Sequence, residues 1–266
     1  MNFSSVLDTL TPAGDGAGYE YEVTITDDWS QGRATFGGLI AGVANEALRQ
    51  RVPRERVLRS LQTTFVGPAS AGTWQLNVRV LRVGKAVTVA SCEVSESNQV
   101  AATIVAVYGG PRSSVLRVDP PAPELVPTER YLAGEDFISD APRFTSHFDM
   151  HWTKTQPAYS GQVQTHTQTR IRHRNASQLS ESHVVALVDC IPTPGLTALN
   201  APAPASSLVW TLELLDHRFD FAGDAWWRLD TTIDAAADGY INQTGVLTNP
   251  EGRTAALSRQ LFTIFG

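Results

Sequence analysis

The amino-acid sequence predicts an α+β fold of two tandem repeats, each with one central helix wrapped by a curved antiparallel sheet. Three observations support this prediction: the sequence duplicates internally, each half carries one strongly apolar helical segment, and β-rich segments with hairpin signals follow each helix. The matches that align the halves are Ser60-Leu61 with Ser207-Leu208, Trp74 and Leu76 with Trp227 and Leu229, and Ala101-Ala102 with Ala255-Ala256.

The first half begins with a strand and a helix. Residues 19–25 alternate polar and apolar side chains, which predicts a strand. Residues 39–48, after the pair Gly37-Gly38, are apolar on most sides, and such a helix must be surrounded by other elements. Further strands are predicted at residues 59–65, 74–81, 87–94 and 99–109.

The second half repeats this order. A helix is predicted at residues 182–190, and a proline-rich stretch at residues 192–207 leads to the next strand. The remaining strands are predicted at residues 206–214, 227–234, 240–247 and 253–266. One helix wrapped by a curved antiparallel sheet is the hot-dog architecture, so the sequence predicts a double hot-dog.

The joint between the halves is visible in the composition. Five prolines lie within residues 110–130, and proline-rich stretches form extended, semi-rigid connectors. We therefore predict a linker at residues 113–133, between an amino-terminal hot-dog at residues 1–112 and a carboxy-terminal hot-dog at residues 134–266.

Composition argues against several classes of protein. The net charge of −6 disfavours a nucleic-acid partner, because phosphate binding requires a basic face. The apolar runs are too short to cross a bilayer, and the first residues lack the basic flank of a secretory signal, so we expect a cytoplasmic protein without a membrane span. Cys92 and Cys190 fall one in each half, which argues against a disulfide framework and a cysteine metal site.

Neither a metal nor a cofactor is predicted. The pair His147-x-x-x-His151 is only a spacing match on an expected strand, and H-E-x-x-H is absent. The glycine-rich residues 13–18 precede a strand, whereas a dinucleotide-binding loop follows one. G-x-S-x-G is also absent, which argues against a serine nucleophile of the α/β-hydrolase type.

Nearly the whole chain resembles the acyl-CoA thioesterase II (TesB-like) family. Residues 16–48 and 58–74 resemble its amino-terminal hot-dog, and residues 184–192, 206–214 and 255–265 resemble its carboxy-terminal hot-dog. In that family an Asp, a Thr and a Gln orient and activate the water that cleaves the thioester. The resemblance assigns these roles to Asp189, Ser207 and Gln260, with Ser206 as the alternative position for the hydroxyl. Serine in place of threonine keeps the hydroxyl and loses only a methyl group.

The residues themselves direct attention to the same positions. Asp189 ends the apolar run at residues 184–188, where burial of a carboxylate is costly unless it is hydrogen-bonded. It could instead be a helix-end acid that ties back the loop before Pro192. Gln260 alternates with Phe262 and Ile264, so an amide shares a strand face with large apolar side chains, and a purely structural amide is the alternative.

Comparison of the repeats separates the two halves. Asn45, Ser60 and Ala106 align with Asp189, Ser207 and Gln260, respectively. The first half therefore lacks both the carboxylate and the amide. We expect one catalytic centre in each chain, in the second half, with Asp189 either as the general base or as the anion that polarises the water.

Substrate contacts are less specific in the sequence. Arg170 and Arg172 lie on one side of a strand, where they form either a solvated face or a contact with the phosphates of coenzyme A. Asn45 could bind a ligand or be a buried, satisfied amide. Two other functions stay open: a non-enzymatic acyl-thioester binder, and an acyl-thioester dehydratase or hydratase. Further pairing of chains into a dimer or tetramer is common in the family, and the sequence leaves the oligomeric state open.

Overall fold

The computed structural model describes residues 1–13, 19–120, 123–126, 132–138 and 140–264. Its α-helices are α1 (Phe3–Leu7), α2 (Gly37–Arg49), α3 (Gly134–Phe137) and α4 (Glu181–Val188). Its strands are β1 (Thr11–Pro12), β2 (Glu20–Ile25), β3 (Ser30–Gln31), β4 (Ala34–Thr35), β5 (Val57–Phe65), β6 (Gly72–Val83), β7 (Val87–Glu96), β8 (Gln99–Gly109), β9 (Leu132–Ala133), β10 (Phe148–Lys154), β11 (His166–His173), β12 (Ala205–Leu214), β13 (Trp227–Ala237), β14 (Tyr240–Thr248) and β15 (Thr254–Ile264).

One antiparallel sheet of thirteen strands carries both halves. Its order is β1-β2-β6-β7-β8-β5-β12-β15-β14-β13-β11-β10-β9. Read outward from the centre, β5-β8-β7-β6-β2 of the first half corresponds to β12-β15-β14-β13-β11 of the second. The two halves join through β5 and β12, where Leu61 lies opposite Leu212. The predicted double hot-dog is confirmed, and the central strand pair removes two exposed edges.

The two long helices pack against each other at the centre of the molecule. Ten residues of α2 are buried, as its apolar sequence requires. A Cβ on Gly38 would lie 2.8 Å from the carbonyl oxygen of Ala186, and one on Gly42 would lie 3.0 Å from that of Ser182. These glycines therefore let the backbones of α2 and α4 approach closely, with the helices running antiparallel.

The predicted element bounds differ slightly from the structure. Helix α2 starts two residues earlier than expected, and α4 ends at Val188, so Asp189 is its C-cap residue. Strand β8 ends at Gly109, and the described residues 113–120 and 123–126 contain neither helix nor strand. The boundaries of the linker stay a prediction. Of the glycine-rich stretch, residues 14–18 lie outside the described part of the chain.

Candidate active site

Asp189 connects the end of one helix to the beginning of the other. It caps α4, and its carboxyl accepts a hydrogen bond from the backbone N–H of Gly38 in the first turn of α2. A Cβ on Gly37 would lie 2.9 Å from Asp189 Oδ2, so only glycine leaves room for the carboxyl. The amino-terminal end of a helix favours a negative charge, because its N–H groups point at the ligand.

Two glutamines continue from this carboxyl across the sheet. Gln260 on β15 donates from Nε2 to Asp189 Oδ1 at 2.5 Å. Gln243, its cross-strand neighbour on β14, donates from Nε2 to Gln260 Oε1 at 3.1 Å. Both amides are buried, at 5% exposure each. When the carboxyl is ionised it only accepts, and this chain of bonds then fixes which end of each amide faces its neighbour.

Burial decides the acidity of the carboxyl. Removal of Asp189 from water raises its pKa from 3.8 to about 7, although the bonds from Gln260 and Gly38 act in the opposite direction. The carboxyl group is surrounded by protein, whereas Asp189 as a whole residue is only half-buried. An acid with a pKa near 7 is matched to proton transfer at neutral pH.

Ser207 lies on the same face of the sheet as Gln260. It pairs with Phe262, two residues along β15, and it is half-buried. Within the described part of the chain, no hydrogen bond joins Ser207 to Asp189 or Gln260. Its neighbour Ser206 is exposed. The role of either hydroxyl therefore stays a prediction.

Strand pairing corrects one of the repeat matches. Ser207 lies opposite Phe262, and the corresponding pair in the first half is Leu58 with Tyr108. The first half therefore has Leu58, and not Ser60, at the position of Ser207. The irregular pairing lies at equivalent positions of the two halves, between residues 58 and 60 and between residues 207 and 209, so the local match of Ser60-Leu61 with Ser207-Leu208 is offset by two residues from the strand pairing.

Asn45 lies at the position related to Asp189 by the internal symmetry, against the first turn of α4. Its Nδ2 donates to Glu181 Oε1 at 3.1 Å and to Ser182 Oγ at 3.0 Å. Its Oδ1 accepts from the Tyr108 hydroxyl at 2.8 Å, and the residue is fully buried. This amide is satisfied by the protein and has no exposed surface for a ligand, which favours the structural interpretation of Asn45.

Gln243 was missed by the sequence analysis, although the repeat contains a signal for it. The cross-strand pair in the second half is Gln243 with Gln260, and the corresponding pair in the first half is Ala90 with Ala106. Two small apolar residues have been replaced together by two amides. Alignment of the β14 segment with the β7 segment from the matched tryptophans would have revealed this second substitution.

The two predicted arginines lie away from this group, on β11. The guanidinium carbons of Arg170 and Arg172 are 5.1 Å and 4.5 Å from the centre of the Trp226 ring, which is cation–π contact. Arg172 also forms an ion pair with Asp149 at 2.7 Å. A surface cavity of about 310 Å³ lies beside Arg172 but not Arg170, and it is lined by Asp149, Arg172, His173, Arg174, Asn175, Ala176 and Asp224.

Metal sites and membrane spans were also considered in the sequence. Among the described residues, no group of three or more His, Cys, Asp or Glu side chains is arranged to hold a metal ion. In the same part of the chain, no helix is long and apolar enough to cross a membrane.

Comparison with known proteins assigns the family. The family model for the acyl-CoA thioesterase C-terminal domain matches residues 120–264, and that for the N-terminal domain matches residues 25–109. The chain belongs to the acyl-CoA thioesterase family. The resemblance that the sequence suggested is thereby confirmed. Membership in this thioesterase family supports thioester hydrolysis in general.

Solved structures share the fold of this thioesterase-family chain. A conserved hot-dog protein from Alicyclobacillus acidocaldarius has a TM-score of 0.85 at 18% identity, covering 99% of this chain and 98% of that chain. Acyl-CoA thioesterase II TesB2 from Mycobacterium marinum has a TM-score of 0.72 at 17% identity, covering 100% and 97%. The dehydratase domain of RzxB from Pseudomonas fluorescens has a TM-score of 0.61 at 12% identity, covering 100% of both chains. No curated protein matches the sequence significantly.

Proposed function

We propose that this protein hydrolyses acyl-CoA thioesters to a free acid and coenzyme A, with Asp189 activating the attacking water. The observation that carries the proposal is the buried carboxyl of Asp189, whose pKa is raised to about 7 and which accepts hydrogen bonds from Gln260 and from the N–H of Gly38. Membership in the thioesterase family supports the choice of substrate.

The reaction requires one base and no strong acid. Asp189 removes a proton from water while the water oxygen forms a bond to the thioester carbonyl carbon. The C–S bond then breaks, and the proton passes to the departing sulfur. A thiol has a pKa of roughly 8.5, so the thiolate leaves without assistance from a strong proton donor. Gln260 keeps the carboxyl aimed at the water, and Ser207 is the proposed second contact for that water.

Substrate contacts outside this centre follow from charge. We assign Arg170 and Arg172 to the phosphates of coenzyme A, because guanidinium groups recognise phosphate through paired hydrogen bonds. Asn45 is assigned to the contact between α2 and α4. An increase in KM for acyl-CoA in Arg170→Ala and Arg172→Ala would support the phosphate contact, and an unchanged KM would remove it. The cytoplasmic location and the assembly into a dimer or tetramer stay predictions.

A dehydratase or hydratase receives less support. Such enzymes on this fold would use a catalytic histidine, and His183 is the histidine of α4. Its ring nitrogens contact Ser4 Oγ and Ser180 Oγ at 2.9 Å and 2.8 Å, at the end of the helix opposite to Asp189. Burial also lowers the pKa of His183 to about 4. A histidine held in this way is separated from the carboxyl that it would need.

The test is a panel of acyl-CoA thioesters incubated with the purified protein and a thiol reagent. Release of free thiol supports hydrolysis. Addition of water to an enoyl-CoA without release of thiol would indicate a hydratase. Saturable binding of acyl-CoA with neither reaction would indicate a non-enzymatic binder.

A further inference from the structure

The internal symmetry of the molecule places a second carboxylate at the position in the first half that corresponds to the proposed active site. Glu181 in the first turn of α4 corresponds to Gly37 in the first turn of α2. Each lies eight residues before the helix-end residue of the matched pair, Asp189 or Asn45. The first half therefore has a carboxylate side chain at a place where the second half has only glycine.

The carboxylate of Glu181 joins the end of a helix to the backbone of a strand. Its Oε1 accepts from Asn45 Nδ2 at 3.1 Å, and its Oε2 accepts from the backbone N–H of Leu58 at 3.0 Å. Arg49 Nε lies 3.8 Å from Oε1, and the side chain of Glu181 is only 11% exposed. A group with two oxygens on one carbon therefore fits between the helix-end side chain and the strand N–H.

The strand N–H belongs to a place where the central strand pair ends. The paired part of β5 and β12 stops at Ser60 on one strand and at Val209 on the other. Leu58 and Ser207 each lie two residues before these positions, at opposite ends of the pair. At one end, the N–H of Leu58 donates to a side-chain carboxylate. Ser207 has the equivalent place at the other end, where Gly37 contributes no side chain.

We propose that the backbone N–H of Ser207 binds the carbonyl oxygen of the thioester and stabilises the negative charge that this oxygen acquires during hydrolysis. The inference rests on the proposed thioester hydrolysis. The tetrahedral intermediate carries two oxygens on one carbon, as a carboxylate does. By the symmetry, the attacking water oxygen takes the place of Glu181 Oε1, next to Asp189. The carbonyl oxygen takes the place of Glu181 Oε2, next to the N–H of Ser207.

The step balances with the groups already present. Asp189 takes a proton from the water as the new C–O bond forms, and the electron pair of the C=O bond moves onto the oxygen beside the N–H of Ser207. When this pair forms the double bond again, the C–S bond breaks with its electrons on sulfur, which receives the proton from Asp189. A fixed backbone N–H stabilises such an oxyanion without rearrangement during the reaction.

The first turn of α2 is the other source of backbone N–H groups near the carboxyl. The N–H of Gly38 donates to Asp189 itself. The next two N–H groups of the helix donate to the carbonyl oxygen of Phe36 at 3.2 Å and 3.3 Å. Gly37 is the remaining alternative donor in this turn, and the experiment includes it.

The first experiment replaces one backbone N–H by an ester oxygen, which removes the donor and keeps the side chain. The α-hydroxy analogue of alanine is introduced at position 207 and compared with Ser207→Ala, which keeps the N–H. We expect kcat for an acyl-CoA to fall about 100- to 1000-fold with little change in KM, which is the loss typical of one oxyanion donor.

The matched control is the same backbone change at Leu58, made with the α-hydroxy analogue of leucine. It removes the bond to Glu181, so the thermal midpoint should fall while kcat stays at the wild-type value. A kcat at position 207 equal to that of Ser207→Ala would overturn the inference. A loss of kcat only when the ester replaces the N–H of Gly37 would also overturn it.

A second measurement does not depend on turnover. Asp189→Asn gives the second half the pair of donors that holds Glu181 in the first half, a side-chain amide and a strand N–H, without the carboxylate side chain itself. Calorimetry at pH 8 should show that this variant binds hexanoate about tenfold or more tightly than the wild type, whose ionised Asp189 repels it. Hexanol, which lacks the carboxylate, should bind equally to both proteins.

The outcomes separate this inference from the proposed function. Equal binding of hexanoate by the wild type and by folded Asp189→Asn would overturn the inference and leave the proposed hydrolysis intact. Failure of the wild type to release thiol from any acyl-CoA would refute the hydrolysis, and with it the role of Ser207.

Discussion

The raised pKa of Asp189 makes a prediction about stability that does not depend on any substrate. The native carboxyl has a pKa of about 7, whereas the unfolded chain has a value of 3.8. Between these values the native state binds more protons than the unfolded state, so this group makes the protein less stable as the pH rises. Asn at position 189 does not titrate, and the contribution disappears in Asp189→Asn.

The size of the effect follows from the same two values. From pH 5 to about pH 7 the carboxyl is mostly protonated in the native state and ionised in the unfolded state. A difference of about one proton over about two pH units corresponds to about 2 to 3 kcal/mol of stability. The free energy of unfolding of Asp189→Asn, relative to the wild type, should increase by this amount from pH 5 to pH 8. The Asn side chain keeps one acceptor oxygen for the bonds from Gly38 and Gln260, and the effect of these bonds on the wild-type carboxyl is already contained in its pKa of about 7.

Urea unfolding of both proteins at pH 5, 6, 7 and 8 measures this difference. Asp149→Asn is the control: burial raises the pKa of Asp149, but hydrogen bonds from Arg174 and Arg172 outweigh this and leave the pKa below 3.8. Its difference from the wild type should therefore be constant from pH 5 to pH 8. A constant difference for Asp189→Asn as well would refute the raised pKa and the argument from burial.

Three further outcomes are expected. The kcat/KM of the wild type should increase with pH and level off above about 7, because only the ionised Asp189 accepts a proton; a flat profile from pH 5 to pH 9 would contradict this. In Gln243→Leu the amide of Gln260 loses its fixed orientation, so kcat should fall about tenfold and the pH profile should shift to higher pH; an unshifted profile would show that Gln243 does not act through Gln260. Gly38→Ala should lower the free energy of unfolding by about 1 to 3 kcal/mol, because its Cβ would meet the carbonyl oxygen of Ala186; Gly110→Ala, whose Cβ would come no closer than 3.9 Å to its neighbours, is the control, and equal stabilities would contradict the close helix contact.

Much of the fold could be predicted because the two halves of the sequence repeat the same pattern of elements. Each half supplied the same order of strand, helix and four strands, and the matched Trp74 and Trp227 aligned β6 with β13. Asp189 and Gln260 were both identified from the family resemblance and from the asymmetry of the repeats. Their hydrogen bond is consistent with that selection.

The remaining features depend on strand register, which the sequence does not encode locally. The local match of Ser60-Leu61 with Ser207-Leu208 is two residues out of register with the strand pairing, which places Leu58 at the position of Ser207. Gln243 becomes significant only when β14 is placed beside β15, because its neighbours along the chain give it no distinction. The pKa of Asp189 likewise depends on the backbone N–H of Gly38, which belongs to the other half of the chain.

The central claim is that Asp189 activates the water that cleaves the thioester. The most direct measurement is the rate of free coenzyme A release from an acyl-CoA by the wild type and by Asp189→Asn at pH 8, with both proteins shown to be folded. We expect kcat to fall by about 100-fold or more in the variant, because it lacks the only base of the mechanism. Turnover within a few-fold of the wild type would contradict the claim.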